Sequence, residues 1–200
     1  MDSKQQRIFM TSDNHFGHKN IKRFCPNTRI GDSIEDINRN MIAIWQSQVG
    51  PSDIVFMLGD CFFMDAKSAM NVMHQLPGQK YLCWGNHDKV IKNHAPLQKM
   101  FVSIEHWREM TIDGKKVIMH HYPTFEWKDM HKGAYHLYGH IHSKYGEIEH
   151  PGIRGRAMDV GIDSRPKGDM KLWSWEEVDR ILSKREVRSH QHGTYLEQRE

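Results

Sequence analysis

Short apolar runs, each closing on polar, ligand-capable side chains, mark out the first half of the chain. "RIFMTSD" (7–13), "DIVFMLGD" (53–60) and "QKYLCWGNHD" (79–88) each read as a strand with polar groups at its C-terminal end. Between them, "SIEDINRNMIAIWQSQVG" carries Ile34, Ile37, Met41, Ile44 and Trp45 at helical spacing. It opens on a Ser33/Asp36 capping pair and stops at Gly50-Pro51. "DAKSAMNVMHQLPG" predicts a second helix, stopped at Pro77-Gly78, while "HKNIKRF" starts a short helix before the turn-rich "CPNTRIGD". Strand, helix, strand, helix, strand predicts a parallel sheet with helices over its faces. Ligands bind beyond the carboxyl ends of such strands.

The second half has a different rhythm. "IEHWREMTIDGKKVIMHHYP" predicts a hairpin turning at Asp113-Gly114, its second strand ending in His120-His121-Tyr122-Pro123. "YHLYGHIHSKYG" is a further apolar run, ending in Gly-His-Ile-His, and "RAMDVGID" reads as the last strand. "SWEEVDRILSK" reads as a helix with Ser174 and Glu177 as a capping box. The polar stretch 185–200 is expected to be a frayed helix or a tail. No repeat or internal boundary interrupts the rest, so one domain is expected over 1–184 and a polar tail over 185–200.

Composition narrows the classes. A chain of 200 residues, 38% hydrophobic and 26% charged, suits one globular domain with a full core. No apolar stretch approaches membrane-spanning length, and the N-terminus lacks the apolar core of a signal peptide. Cys25, Cys61 and Cys83 form no CxxC pair and read as reduced thiols. A cytoplasmic location is therefore expected. The formal charge of +3 permits anionic substrates without demanding nucleic acid. The count that changes the picture is 15 histidines, because they gather in short motifs.

Five strand ends carry five ligand-type groups: "SDNH" (12–15), "GD" (59–60), "GNHD" (85–88), "HHYP" (120–123) and "GHIH" (139–142). Singly, each has an ordinary explanation as a cap or a polar turn. Together, each behind an apolar strand, they predict a metal centre at one sheet edge. Two divalent cations about 3.5–4 Å apart can clamp the attacking and leaving oxygens of a phosphoryl displacement, and a shared carboxylate can hold them that close. Imidazole with oxygen donors suits Mn, Fe, Zn, Co or Ni. Asp13 and His15, at alternate positions of an extended segment, would share one side.

The order Asp-x-His, Gly-Asp, Gly-Asn-His-Asp, His-Tyr-Pro, Gly-His-x-His resembles the calcineurin-like metallophosphoesterase superfamily, closest to its small single-domain bacterial and phage members. That resemblance spans Asp13 to His142, and the strand and helix at 157–182 fit the end of the same fold. It implies a four-layer α/β/β/α sandwich with a dimetal site at the strand C-terminal ends. Asp13, His15 and His142 should hold one metal and Asn86, His121 and His140 the other, with Asp60 bridging them. His121 is preferred over His120 because the family histidine directly precedes Tyr-Pro. His87 is then the general acid or cationic donor to the leaving group, and Asp88 its orienting partner, with a helix-start or turn carboxylate as the alternative. Gly85 would let the backbone turn at the strand end.

The function so implied is hydrolysis of phosphate esters, diester or monoester, of a small or nucleotide-type substrate by a metal-activated water. Mn is the first choice of metal. A nuclease of the same superfamily and a non-catalytic scaffold of the same fold are the alternatives. Nucleic acid is an allowed partner that the charge does not indicate, and no membrane partner is expected. His18 is a weaker candidate for substrate contact. Arg23, Trp127, Arg154 and Arg156 are candidates for cleft lining, with solvated faces or core packing as the alternative.

Overall fold

The computed structural model describes residues 6–143, 153, 155–165 and 168–188. Two sheets carry the chain. The first has strand order β4-β3-β2-β1-β9, from β1 (Ile8–Thr11), β2 (Ile54–Met57), β3 (Gln79–Cys83), β4 (Ser103–Glu105) and β9 (Trp173–Ser174). Strands β1 to β4 run parallel, and β9 closes the other edge antiparallel to β1. The second sheet has order β5-β6-β7-β8, from β5 (Trp107–Ile112), β6 (Lys115–His120), β7 (Tyr135–Tyr138) and β8 (Ala157–Asp159). Here β5 and β6 form the expected hairpin, with Asp113 and Gly114 both at positive φ, and β6, β7 and β8 are parallel.

Side-chain alternation explains why the central strands read as continuous apolar runs. Phe9, Val55, Met57 and Leu82 face a core shared with Ile37, Met41 and Trp45 of α2 (Ile34–Gln48) and with Ala69, Val72 and Met73 of α3 (Ala66–Gln75). Their neighbours Met10, Phe56, Leu58 and Cys83 face the other way, onto Val117, Met119, Leu137 and Met158 of the second sheet. Both faces of the first sheet are therefore covered, so its central strands are largely apolar, and the buried Lys80 of β3 is accommodated by donating to the Leu76 and Gly78 carbonyls. The outer face of the second sheet is covered by Trp127, Met130 and Ala134, from a segment with one 3-10 turn at Met130–Lys132. The protein is thus a mixed α/β fold of two sheets and helices, as expected.

Local signals set the helix ends. Capping boxes form at Ser33/Asp36 and at Ser174/Glu177, the latter opening α6 (Trp175–Leu182). The indole of Trp45 donates to the Pro77 carbonyl at 2.9 Å, tying α2 to the loop that ends α3. Several elements differ from expectation. Ser103–Glu105 is not the start of the hairpin: it pairs with β3 in the first sheet, and the chain changes sheets at His106. Two short helices, α4 (Lys89–Lys92) and α5 (Ala95–Gln98), fill 89–98, where no element was expected. The short helix expected near 18–24 is the single turn α1 (Ile21–Phe24). No helix among the described residues is long and apolar enough to cross a membrane. Of the tail expected at 185–200, residues 189–200 lie outside the described residues, as does Arg154.

Candidate metal centre

The C-terminal ends of β1, β2, β3, β6 and β7 converge on one edge of the sandwich. Backbone bonds knit them together: the Asp13 amide donates to the Gly59 carbonyl (3.0 Å), the His15 amide to Asp60 (3.0 Å), and the Gly139 amide to His121 (2.9 Å). Two glycines permit this closeness. A Cβ at Gly85 would fall 2.2 Å from Asp60 Oδ1, and one at Gly139 would fall 1.9 Å from Ser12 Oγ. Gly85 is not at positive φ, so space against Asp60, and not a turn, is what demands glycine there.

Three three-residue clusters result among the described residues, two of them built on a strand-end carboxylate and the third, Cys25, His142 and Asp163, sharing His142 with the first. Asp13, His15 and His142 each bring a ligand atom within 4.8 Å of the others, and so do Asp60, His121 and His140. The two carboxylates are built alike. Asp13 Oδ2 accepts the His140 N–H (2.8 Å), which leaves Oδ1 facing His15 Nε2 (3.7 Å) and His142 Nε2 (3.6 Å). Asp60 Oδ1 accepts the His87 N–H (2.8 Å), which leaves Oδ2 facing His15 Nε2 (3.7 Å) and His121 Nε2 (3.6 Å). Asp60 therefore stands between a histidine of each cluster. Asn86 Oδ1 lies 2.9 Å from His121 Nε2, at the second cluster.

The donors fit divalent cations. Separations of 3.6–3.7 Å are too long for hydrogen bonds, yet Asp13 Oδ1 and both ring nitrogens of His15 are buried without a partner. Buried polar atoms left so are costly. A cation bonded to facing donors at about 2.0–2.2 Å spans such a gap. The electrostatics are mixed: burial pushes the Asp13 carboxyl up, but the surrounding His15, His142 and His121 bring it down to about 2, so it stays ionised. His142, against the effect of its own burial, is pushed up to about 11 by Asp163, Cys25 and Asp13, so a cation there would have to displace its proton. Burial lowers the His15 and His140 pKa values, keeping those rings neutral and able to donate a lone pair.

The backbone here is unusual. Asp13, His15, Asp60, His140 and His142 all lie at positive φ, between 47° and 72°. Asp13 and His15 are thus not alternate residues of an extended segment, as expected from their spacing. Each is folded back so that its side chain turns inward. Asp and His tolerate this region better than most residues, but each such residue costs about 1–3 kcal/mol, a cost that surrounding structure must offset.

Part of that surrounding structure is a buried ion pair that the motifs did not reveal. Arg29, its side chain fully buried, binds Asp163 through Nε (2.9 Å) and Nη2 (2.5 Å). It also donates to the carbonyls of Asp13 (2.8 Å) and Asn14 (2.9 Å), at the folded-back turn. Asp163 Oδ2 in turn accepts from His142 Nδ1 (2.7 Å), which leaves His142 Nε2 pointing at Asp13. Asp163 lies just past β8 in "DVGID", so the strand-end rule that found the other motifs also marks it. Arg29 lies in a turn-rich loop and carries no such mark.

The remaining expected residues separate. His121 joins the second cluster, whereas His120 points away, with Nδ1 3.1 Å from the Tyr122 carbonyl and its ring beside Trp107. His87 is exposed, its ring 4.9 Å from Phe63 and 6.2 Å from His15, and belongs to neither cluster. The half-buried His18 sets its ring edge-on to Phe63 at 4.3 Å. Asp88 needs correcting: it does not orient His87. Its buried carboxylate accepts three backbone amides, Gly85 (2.7 Å), Cys61 (2.9 Å) and Asp60 (3.2 Å), and so pins β3's end to the Asp60 turn. Trp127 is core, and Arg156 donates to the Arg185 and Ser183 carbonyls away from the centre. Cys61 and Cys83 are buried with raised pKa values, whereas Cys25 lies 3.6 Å from His142 Nδ1.

A mixed nitrogen and oxygen centre at the strand ends of an α/β fold is the class these observations define. Residues 7–154 match the calcineurin-like phosphoesterase superfamily domain, and the chain belongs to that superfamily. An uncharacterized protein of Methanocaldococcus jannaschii is 27% identical over 159 residues, covering 78% of this chain and 81% of its own. The gene 66 protein of Mycobacterium phage L5 is 26% identical, covering 78% of this chain and 86% of its own. The crystal structure of an Aquifex aeolicus protein of unknown function shares the fold, with a TM-score of 0.68 at 22% identity, covering 88% of this chain and 99% of its own.

Proposed function

We propose that the chain is a dinuclear metal-dependent hydrolase of phosphoric esters. The carrying observation is the paired carboxylate design: Asp13 and Asp60 each tie one oxygen to a backbone amide and turn the other toward two imidazoles. Asp13, His15 and His142 would hold one divalent cation, Asn86, His121 and His140 the other, and Asp60 would touch both. Mn is the first choice, and Fe, Zn, Co and Ni suit the same donors. The chemistry a bound pair supplies is Lewis acidity toward water and phosphoryl oxygens.

The chain's own residues do the rest. His87 stands outside both clusters with its ring free, in position to give a proton to the departing oxygen. As that P–O bond breaks, a water oxygen bonds to phosphorus, the alcohol leaves with the His87 proton, and the water's proton passes to solvent. Asp88 acts one step back, holding the turn on which Asp60 and His87 meet.

The test is a screen of the Mn-supplemented protein on p-nitrophenyl phosphate, bis-p-nitrophenyl phosphate, cyclic nucleotides and DNA. Hydrolysis that a chelator abolishes is expected. His87→Ala should keep its metal content and lose about 100-fold or more on esters with poor leaving groups. Inactivity on every ester with both metals bound would sink the proposal and favour a scaffold.

A further inference from the structure

A cavity of about 600 Å³ opens beside the first cluster, bordered by His15, His142 and the free ring of His87. That is well within the range of small-molecule sites, on the order of 300–1,000 Å³. Part of its wall is apolar, from Ile21, Phe24 and Pro26 in α1 and the turn after it together with Phe63 and Ile141, and histidines and polar loop side chains supply the rest. Phe63 is fixed by stacking on His15, centroids 4.7 Å apart. Phe24 stands at the rim with 62% of its surface exposed, 5.9 Å from the His18 ring. An exposed phenyl beside a site has apolar area still to bury, and aromatic rings are its natural partners.

Charge narrows the occupant. Arg23 is the one lysine or arginine among the described lining residues, and the Asp163 carboxylate is already held by Arg29 and His142. A groove that tracks a polyanionic strand needs a run of cations along the backbone. The cavity also lies on the side of His87, where a departing group would sit.

We propose that this cavity receives the leaving group of the ester, and that this group is an alcohol bearing an uncharged aromatic ring, up to nucleoside size. The inference rests on the phosphoesterase reading. Calorimetry on the Mn-loaded full chain tests it with two probes, benzylphosphonate and methylphosphonate, which differ only in the ring directed at the cavity. Benzylphosphonate should bind about tenfold or more tighter, and Phe24→Ala should cut that preference about threefold or more. Phe24 is exposed, so this variant is expected to fold.

Equal affinities overturn the assignment, as does a preference that Phe24→Ala and Phe63→Ala both leave intact. Tighter binding of a thymidylate decamer than of benzylphosphonate also overturns it. Hydrolysis of bis-p-nitrophenyl phosphate by the same preparation separates the two levels. Turnover with equal phosphonate affinities sinks the cavity assignment alone, whereas no turnover and no phosphonate binding sinks the phosphoesterase reading with it.

Discussion

The two clusters have matching donors and opposite support. Asp13 and His15 are buried, and behind them a fully buried Arg29–Asp163 pair grips both the Asp13 turn and the His142 ring. Across Asp60 the arrangement is looser. His121 is buried and leans on the Leu58 carbonyl at 2.7 Å, but His140 is exposed, with ring contacts to Tyr122 and His121. The loop after His121 is held by a neutral group: His136 Nε2 accepts the Thr124 amide, and its Nδ1 lies 3.2 Å from the Ile118 carbonyl. One half is thus braced by buried charge and the other by a buried neutral ring. The difference implies that the first half would hold its cation more tightly and that the second would exchange with solvent more readily.

Removing the charged brace should have the largest effect. Arg29→Gln strips Asp163 of its guanidinium, leaving only Thr28 and His142 as partners, and releases two carbonyls, so stability should fall by about 3–5 kcal/mol. Thermal melting checks this, and an unchanged midpoint would mean that the pair does not brace the turn. Asp60→Asn removes the carboxylate between the halves. Both cations should weaken by more than about 100-fold together, a loss beyond that of outer partners. Metal analysis showing one site still full would break the bridging assignment.

The neutral brace should show itself through pH. Burial pushes the His136 pKa down to about 4 from 6.5, so between those values the unfolded chain binds the extra proton and the folded chain does not. Its contribution is complete above pH 6.5 and is lost as pH falls toward 4, by on the order of 2–3 kcal/mol. The buried Asp159 carboxyl, raised to about 6 by its burial, works in the opposite direction over the same window, so the readout is a difference. Between pH 6.5 and 4 the melting midpoint of metal-free His136→Gln should fall less, relative to its own value at pH 7, than that of the unsubstituted protein. Identical slopes would remove His136 from the account. The most selective effect is on metal affinity: Asp163→Asn keeps the shape beside His142 but removes the charge, and because it strands the buried Arg29 guanidinium it should also melt lower, much as Arg29→Gln does. The first cation should weaken about 10–100-fold and the second little. Equal weakening in titration would show that the halves are not independently supported.

Legibility followed sequence distance. The strands, both capping boxes and the Asp113-Gly114 turn rest on neighbours a few residues apart, and the structure has them. The run 104–112 did not divide correctly, because what splits it is pairing with β3, whose residues are about twenty positions away. Asp88 looked like a partner for the adjacent His87, yet its oxygens went to amides at Asp60, Cys61 and Gly85. Adjacency on the chain gave the wrong partner because a buried carboxylate takes whatever donors the fold brings to it.

From the sequence alone came the βαβ order, the five ligand-bearing strand ends and the family they resemble, because periodicity and motif order are properties of the chain itself. Tertiary structure decided which oxygen of Asp13 and Asp60 faces inward, that five ligand-type residues are folded back at positive φ, and that Arg29 and Asp163, 134 positions apart, stand behind one cluster and not the other. Those outcomes depend on donors and charges meeting across two sheets, where distance through space and loss of water set the energies.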